Sequence, residues 1–476
     1  MMNLAVGIAE SYQEGIPVLA IVGQVARAHE GRGGFQDSSG RGQTVDALGL
    51  WTSITKEVRQ IRSGATLWED LLAAVRACMS GRRGPSALLV PRDVFDERVP
   101  PRPVDWPTRL SEVAPGPVAS SASIEALALA LKKARRPVLV LGNGVRTCSA
   151  PEAVLALARE SRTPAVSTLS DIAAYPHGDG LYLGTIGTAG HPSAHTYLNE
   201  EADLLVVVGS RLEVMLSAPI QQALSRCTVF FVDRDTSTLV ERFPDAQLVE
   251  GEIGETFERL RDHQSWRRLP GSGRPDTYAL KHYPAELVTP PEDEAQSWED
   301  ARGSLLQSEA IQAIQAALPR GGHVVFDAGN CAASSLHYLA LPEGATSTIA
   351  LGMGGMGYAI PAAVGAQLGS APGTQTTVLC GDGAFLLLGM EVHTAVDLGL
   401  PILFVVFNNG QHGMCVTRQQ LYFDSRLECS RYGSASIAQI ARGFGNEEQI
   451  WVGSASTLSE LQGALTELSV RESPGP

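Results

Sequence analysis

What the chain lacks narrows the field first. Seven cysteines (Cys78, Cys148, Cys227, Cys331, Cys380, Cys415 and Cys429) are scattered over 476 residues, with no CxxC and no other paired spacing. That excludes a zinc ribbon or a disulfide framework and predicts reduced thiols in a cytoplasmic protein. No run of 18 apolar residues occurs, so no membrane-spanning helix is expected. The N-terminal stretch has no basic region and reaches Glu10 too soon for a signal peptide. Positive charge is in deficit: 37 Lys and Arg against 51 Asp and Glu give a net charge of −14. A nucleic-acid or anionic-membrane surface is therefore not expected. Aromatics are scarce at 6%, while 49 glycines and 44% apolar residues suit α/β layers joined by tight turns.

The length predicts two or three domains. Residues 1–97 alternate strand-like runs (17–24, 86–93) with a helical pattern at 67–81. A Pro-rich linker is expected at 98–121. A second α/β block covers 122–266, with strands at 137–145, 202–211 and 228–235. A polar, Pro/Gly-rich connection is expected at 267–304, and a third block at 305–476 opens with a helix that Ser308 would cap. The reading is three doubly wound parallel-sheet domains. Glu10 and Glu14 lie on a helix-like run and are expected to face solvent or a partner.

Chemistry concentrates in "TVLCGDGAFLLLGM" (377–390) and "ILFVVFNNGQHGM" (402–414). Both open on apolar runs expected to be strands buried on both faces. The segment between them, near 386–399, is long enough for a crossover helix, and a right-handed βαβ unit sets Asp382 beside Asn409, 27 residues later, beyond two parallel strand ends. A carboxylate and an amide oxygen are hard donors that suit Mg²⁺ or Ca²⁺ and not zinc. One carboxylate is a poor Mg²⁺ site alone, so a phosphate should complete it. Gly381 and Gly383 would let that ligand approach the backbone, and a helix starting near Ala384 would offer amide N–H groups. The plainer alternative makes Asp382 a helix cap and Asn409 a turn residue.

These residues resemble the thiamine diphosphate-dependent 2-oxoacid enzymes, the acetolactate synthase and pyruvate decarboxylase group, whose signature is Gly-Asp-Gly and then Asn-Asn. The resemblance implies that Asp382, Asn409 and the Gln411 carbonyl hold Mg²⁺, which clamps the cofactor's diphosphate. "LGMGGMGYAIPAAVGA" (351–366) is similar to the family segment before Gly-Asp-Gly. Met356 would prop the bent cofactor, beside Gly354 and Gly355. "FDAGNC" (326–331) matches the first diphosphate turn, implying Gly329, Asn330 and Cys331 as cofactor contacts. In "GQHGM" (410–414), His412, Gly413 and Met414 would face cofactor and substrate. "FQD" (35–37) resembles part of the pyrimidine-binding domain and would bring Gln36 near the active site. The implied activity is decarboxylation of a pyruvate-like 2-oxoacid with transfer of the acyl anion to an acceptor, by a homodimer or homotetramer. Alternatives are a non-ligating decarboxylase or lyase, and a catalytically silent homologue.

The silent alternative has a reason. The family's activating glutamate would stand before Met1 and its last strand after Pro476, so a fragment truncated at both ends is expected. Arg418 occupies the place of a pocket-shaping tryptophan of acetolactate synthases, which suits a more polar acceptor. FAD stays open: "GTIGTAGHPSAH" (184–195) and Arg211 only partly match the flavin-contacting segments.

Overall fold

The computed structural model describes residues 2–263, 305–433 and 435–472, with side chains to 470. The connection expected at 267–304 lies outside the described residues. Three parallel sheets organise the chain. The first has the order β1 (Leu19–Gln24), β3 (Ser86–Pro91), β2 (Glu57–Gln60). The second, of six strands, runs β6 (Tyr182–Ile186), β5 (Ala165–Thr168), β4 (Pro137–Leu141), β7 (Leu204–Val208), β8 (Thr228–Asp233), β9 (Gln247–Glu250). The third has the order β11 (Thr346–Ile349), β10 (His323–Phe326), β12 (Thr376–Gly381), β13 (Ile402–Phe407). Every pairing with a defined register is parallel, as strands alternating with helices require. The α/β class and the three doubly wound layers are as the sequence predicts.

By packing, the chain forms two compact units. One comprises Met1–Val118, Glu250–Glu252 and Leu351–Gly354; the other comprises Ala119–Val249, Ile253–Ala350 and Gly355–Pro476. In the first, Ile8, Val22, Trp51 and Leu89 form one core cluster. In the second, β4 and β7, each fully buried, carry an extensive core cluster, with helices Ser121–Lys133, Pro151–Ser161 and Ile253–Asp262 against it.

Several local expectations need correcting. Ser308 caps nothing: the helix starts earlier, at Gln307–Ala317, after Leu306, and Ser308 is buried inside it. The serine that does cap is Ser120, whose hydroxyl accepts from the Ser123 N–H at 3.0 Å at the end of the Pro-rich stretch. That stretch also contains a short helix, Leu110–Val113. β12 is buried almost throughout, but β13 is an edge strand and only half-buried along its length. Glu10 does not face solvent. It is buried in the first unit, and its carboxylate accepts from the N–H groups of Gly352 (2.9 Å) and Met353 (2.7 Å).

Candidate active site

Three segments meet at the carboxyl edge of the third sheet. β12 and β13 pair in register from Thr376–Ile402 to Gly381–Phe407, so their ends leave the sheet side by side. The helix after β12 is Asp382–Leu388, beginning at the aspartate itself and not at Ala384. Asp382 is 2% exposed. One carboxylate oxygen accepts from the Gly383 N–H at 2.9 Å and the other from the Gly410 N–H at 2.7 Å. Gly410 turns the chain after Asn409 with φ 67°, a region where a Cβ is costly. The Asn409 side-chain oxygen accepts from the Gln411 N–H at 3.2 Å. The Gln411 carbonyl is left without a donor among the described residues.

The second segment is the turn after β10. Gly329 has φ 97° and precedes helix Asn330–Tyr338. The Asn330 amide donates to the Thr417 hydroxyl at 3.1 Å, and it would lie 3.3 Å from a Cβ on Gly413. Cys331 is buried, and its sulfur would lie 3.9 Å from a Cβ on Gly381. Burial pushes its thiol up to about 12, so it packs as a neutral group and not as a nucleophile. The third segment precedes helix Ala359–Gly369. Gly354 (φ 61°) and Gly355 lead to Met356, which is 38% exposed, and Gly357 (φ 89°) packs on Leu388.

Two residues not picked out in the sequence join this constellation. Asp327 is buried, and its carboxylate takes N–H groups from Ala328, Gly357 and Ala359. Tyr432 arrives through a short antiparallel contact: the His412 N–H donates to the Ser430 carbonyl at 2.8 Å and the Tyr432 N–H to the Gly410 carbonyl at 3.0 Å. The His412 and Tyr432 rings lie 5.0 Å apart. Burial, and after it the nearby Asp382 carboxylate, push the Tyr432 hydroxyl up to about 12. That hydroxyl is buried without a well-formed hydrogen bond. A signal for Asp327 was present in "FDAGNC"; no local pattern marks Tyr432. Asn408, Asn409, Gly410, Gln411, Arg431 and Tyr432 line a cavity of about 490 Å³.

The remaining candidates are placed as follows. Met414 is half-buried at the start of helix Gly413–Tyr422, and Arg418 on the same helix is exposed. Gln36 belongs to the first unit, where it is exposed with φ 60°. In the six-stranded sheet region, Arg211 gives its guanidinium to Glu213, and a Cβ on Gly187 would meet Leu169 at 2.5 Å.

The donor set fits a hard cation with an anionic ligand. Asp327 and Asp382, on adjacent strands, pair with no cationic side chain among the described residues. A diphosphate brought beside two such carboxylates needs a positive charge between them. Each Asp382 oxygen accepts one N–H and keeps a lone pair. Among the described residues, no group of three His, Cys, Asp or Glu side chains could hold a metal. The amide of Asn409, the open Gln411 carbonyl and ligand oxygens would have to complete the shell, which is Mg²⁺ chemistry.

Comparison with known proteins identifies the family. The thiamine pyrophosphate enzyme central domain matches residues 124–260, and the C-terminal TPP binding domain of the same enzymes matches 327–476. The acetolactate synthase isozyme 1 large subunit of Escherichia coli is 26% identical over 452 residues, 94% of this chain and 75% of that protein. The acetolactate synthase large subunit of Parasynechococcus marenigrum is 28% identical over 93% of this chain and 69% of its own. A probable acetolactate synthase large subunit of Methanocaldococcus jannaschii is 26% identical over 93% and 74%. With its matched domains falling on the second and third sheets, the chain belongs to the thiamine pyrophosphate enzymes and is acetolactate synthase-like.

Proposed function

We propose that this protein decarboxylates a pyruvate-like 2-oxoacid with thiamine diphosphate and Mg²⁺ and passes the acyl anion to an acceptor. The observation that carries the reading is the strand-end constellation of buried Asp382, Asn409 and the undonated Gln411 carbonyl. Those three oxygens would hold Mg²⁺. The turn of Gly329, Asn330 and Cys331, with Gly381, Gly383 and Ala384, would admit the diphosphate, since neither Gly329 nor Gly381 has a side chain to block it. Met356, with Gly354 and Gly355 before it, would support the cofactor's bend. When bound, the cofactor supplies the electron sink for decarboxylation. The chain supplies position and charge: His412, Gly413 and Met414 would border the reacting end, and Arg418 would sit near an acceptor's polar group.

FAD forms no part of this reading, because the segment 184–195 matches the flavin-contacting pattern only in part. We infer a homo-oligomer, a dimer or tetramer, from the apolar surface after Asp382: Leu386, Leu387 and Met390 are 46%, 57% and 70% exposed. A single-chain mass by sedimentation would contradict this.

Product analysis with pyruvate, thiamine diphosphate and Mg²⁺ tests the activity. A ligated product such as acetolactate is expected. Acetaldehyde alone would favour the simple decarboxylase, and binding without turnover a silent homologue.

A further inference from the structure

At the end of β10, one carboxylate holds two cofactor-facing segments at once. Asp327 directly follows the strand and is 1% exposed. One of its oxygens accepts from the Ala328 N–H at 2.8 Å and the Gly357 N–H at 2.9 Å. The other accepts from the Ala359 N–H at 2.9 Å. Ala328 begins the turn that runs through Gly329 to Asn330. Gly357 follows Met356, and Ala359 opens an 11-residue helix.

No Lys, Arg or His among the described residues pairs with this carboxylate. A buried charge without a cation is costly and persists only where strong donors surround it. Here three backbone N–H groups and the positive end of the Ala359–Gly369 helix do so. Burial pushes the Asp327 carboxyl upward, and the Gly357, Ala359 and Ala328 N–H groups oppose that shift by hydrogen-bonding its oxygens, of which a carboxylate has lone pairs enough for all three. Gly357, at φ 89°, is held in a conformation that a free loop would leave readily.

We propose that Asp327 is a positioning residue that ties the diphosphate turn to the Met356 loop, so that the cofactor seat is formed before the cofactor arrives. It acts through Gly357 on its neighbour Met356, and through Ala328 on Gly329 and Asn330. The proposal rests on the reading that thiamine diphosphate binds at this sheet edge.

Asp327→Asn tests it. The amide keeps the size but offers one acceptor oxygen, and turns an NH₂ toward a backbone N–H. Two quantities are read on the full chain: the dissociation constant for thiamine diphosphate at saturating Mg²⁺, by calorimetry, and amide hydrogen exchange at Gly357 and Ala359. The expected result is an affinity weakened by about tenfold or more, with both amides losing protection. An affinity within twofold of the parent would overturn the proposal, since a purely structural bond would lower the melting temperature and leave affinity alone. If the variant does not fold, exchange in the parent protein without cofactor decides. Slow exchange at both amides supports a preformed seat; exchange at the rate of a free loop overturns it. If the parent binds no thiamine diphosphate, the cofactor reading fails by itself, while the exchange result still judges Asp327 as an anchor.

Discussion

Asp327 and Asp382 solve similar problems behind neighbouring strands: each directly follows its strand, is buried, and accepts N–H groups both from its own next residue and from another segment. His323, at the start of β10, shows the opposite charge logic. Its ring nitrogens lie 2.6 Å from the Thr346 hydroxyl and 3.0 Å from that of Thr348. Burial, and after it the Arg146 guanidinium, push its pKa down to about 4. The fold therefore favours the neutral ring, and the unfolded chain binds the extra proton. His323's contribution is fully present above its ordinary value near 6.5 and is lost as pH falls toward 4, by about 3 kcal/mol at most. Buried Asp171, paired with Arg146, is shifted upward by burial and works in the other direction. A variant difference isolates the histidine. The stability gap between the parent and His323→Gln, from urea unfolding, should narrow steadily from pH 7 to pH 4. A constant gap would show that the ring is not held neutral.

Among elements, the loops after β12 and β13 matter most. Gly383 is fixed by space: a Cβ there would lie 2.7 Å from the His412 ring and 3.2 Å from the Tyr432 hydroxyl. Gly383→Ala should push His412 aside at a cost of about 1–2 kcal/mol in stability and weaken cofactor binding more than tenfold. Unchanged affinity for thiamine diphosphate would show that His412 does not border the seat. This also marks how far the sequence could be read. The Gly-Asp-Gly and Asn-Asn pair is local, flanked by apolar runs, and both strands are where those runs stand. Tyr432 reaches Gly410 only after the chain has passed through helix Gly413–Tyr422 and the loop behind it, so no local pattern marks it and only the folded chain reveals it. β5 (Ala-Val-Ser-Thr) and β11 (Thr-Ser-Thr-Ile) escaped notice because their hydroxyl residues break the apolar run, although β5 is buried throughout and β11 at every second residue. Ser308 misled because a serine before an apolar stripe looks like a cap; helix start and serine differ by one position.

For the whole molecule, the class and the parallel layers follow from alternating strands and helices, which composition and pattern make legible. Burial of single carboxylates does not. Glu10, on a helix that reads as amphipathic, is taken inside the first unit by two backbone N–H groups that lie more than 300 residues away in sequence. Among the described residues, no helix is long and apolar enough to cross a membrane, as the lack of long apolar runs predicts. The central claim is that one hard cation and one diphosphate cofactor share the edge where β12 and β13 end. The most direct test is thermal unfolding with thiamine diphosphate alone, Mg²⁺ alone, both, and both with EDTA. Stabilisation is predicted only with both, by about 2.7 kcal/mol at a hundredfold excess over the dissociation constant, and EDTA should abolish it. Asp382→Asn should remove it as well. Equal stabilisation by the cofactor with and without the metal would contradict the account.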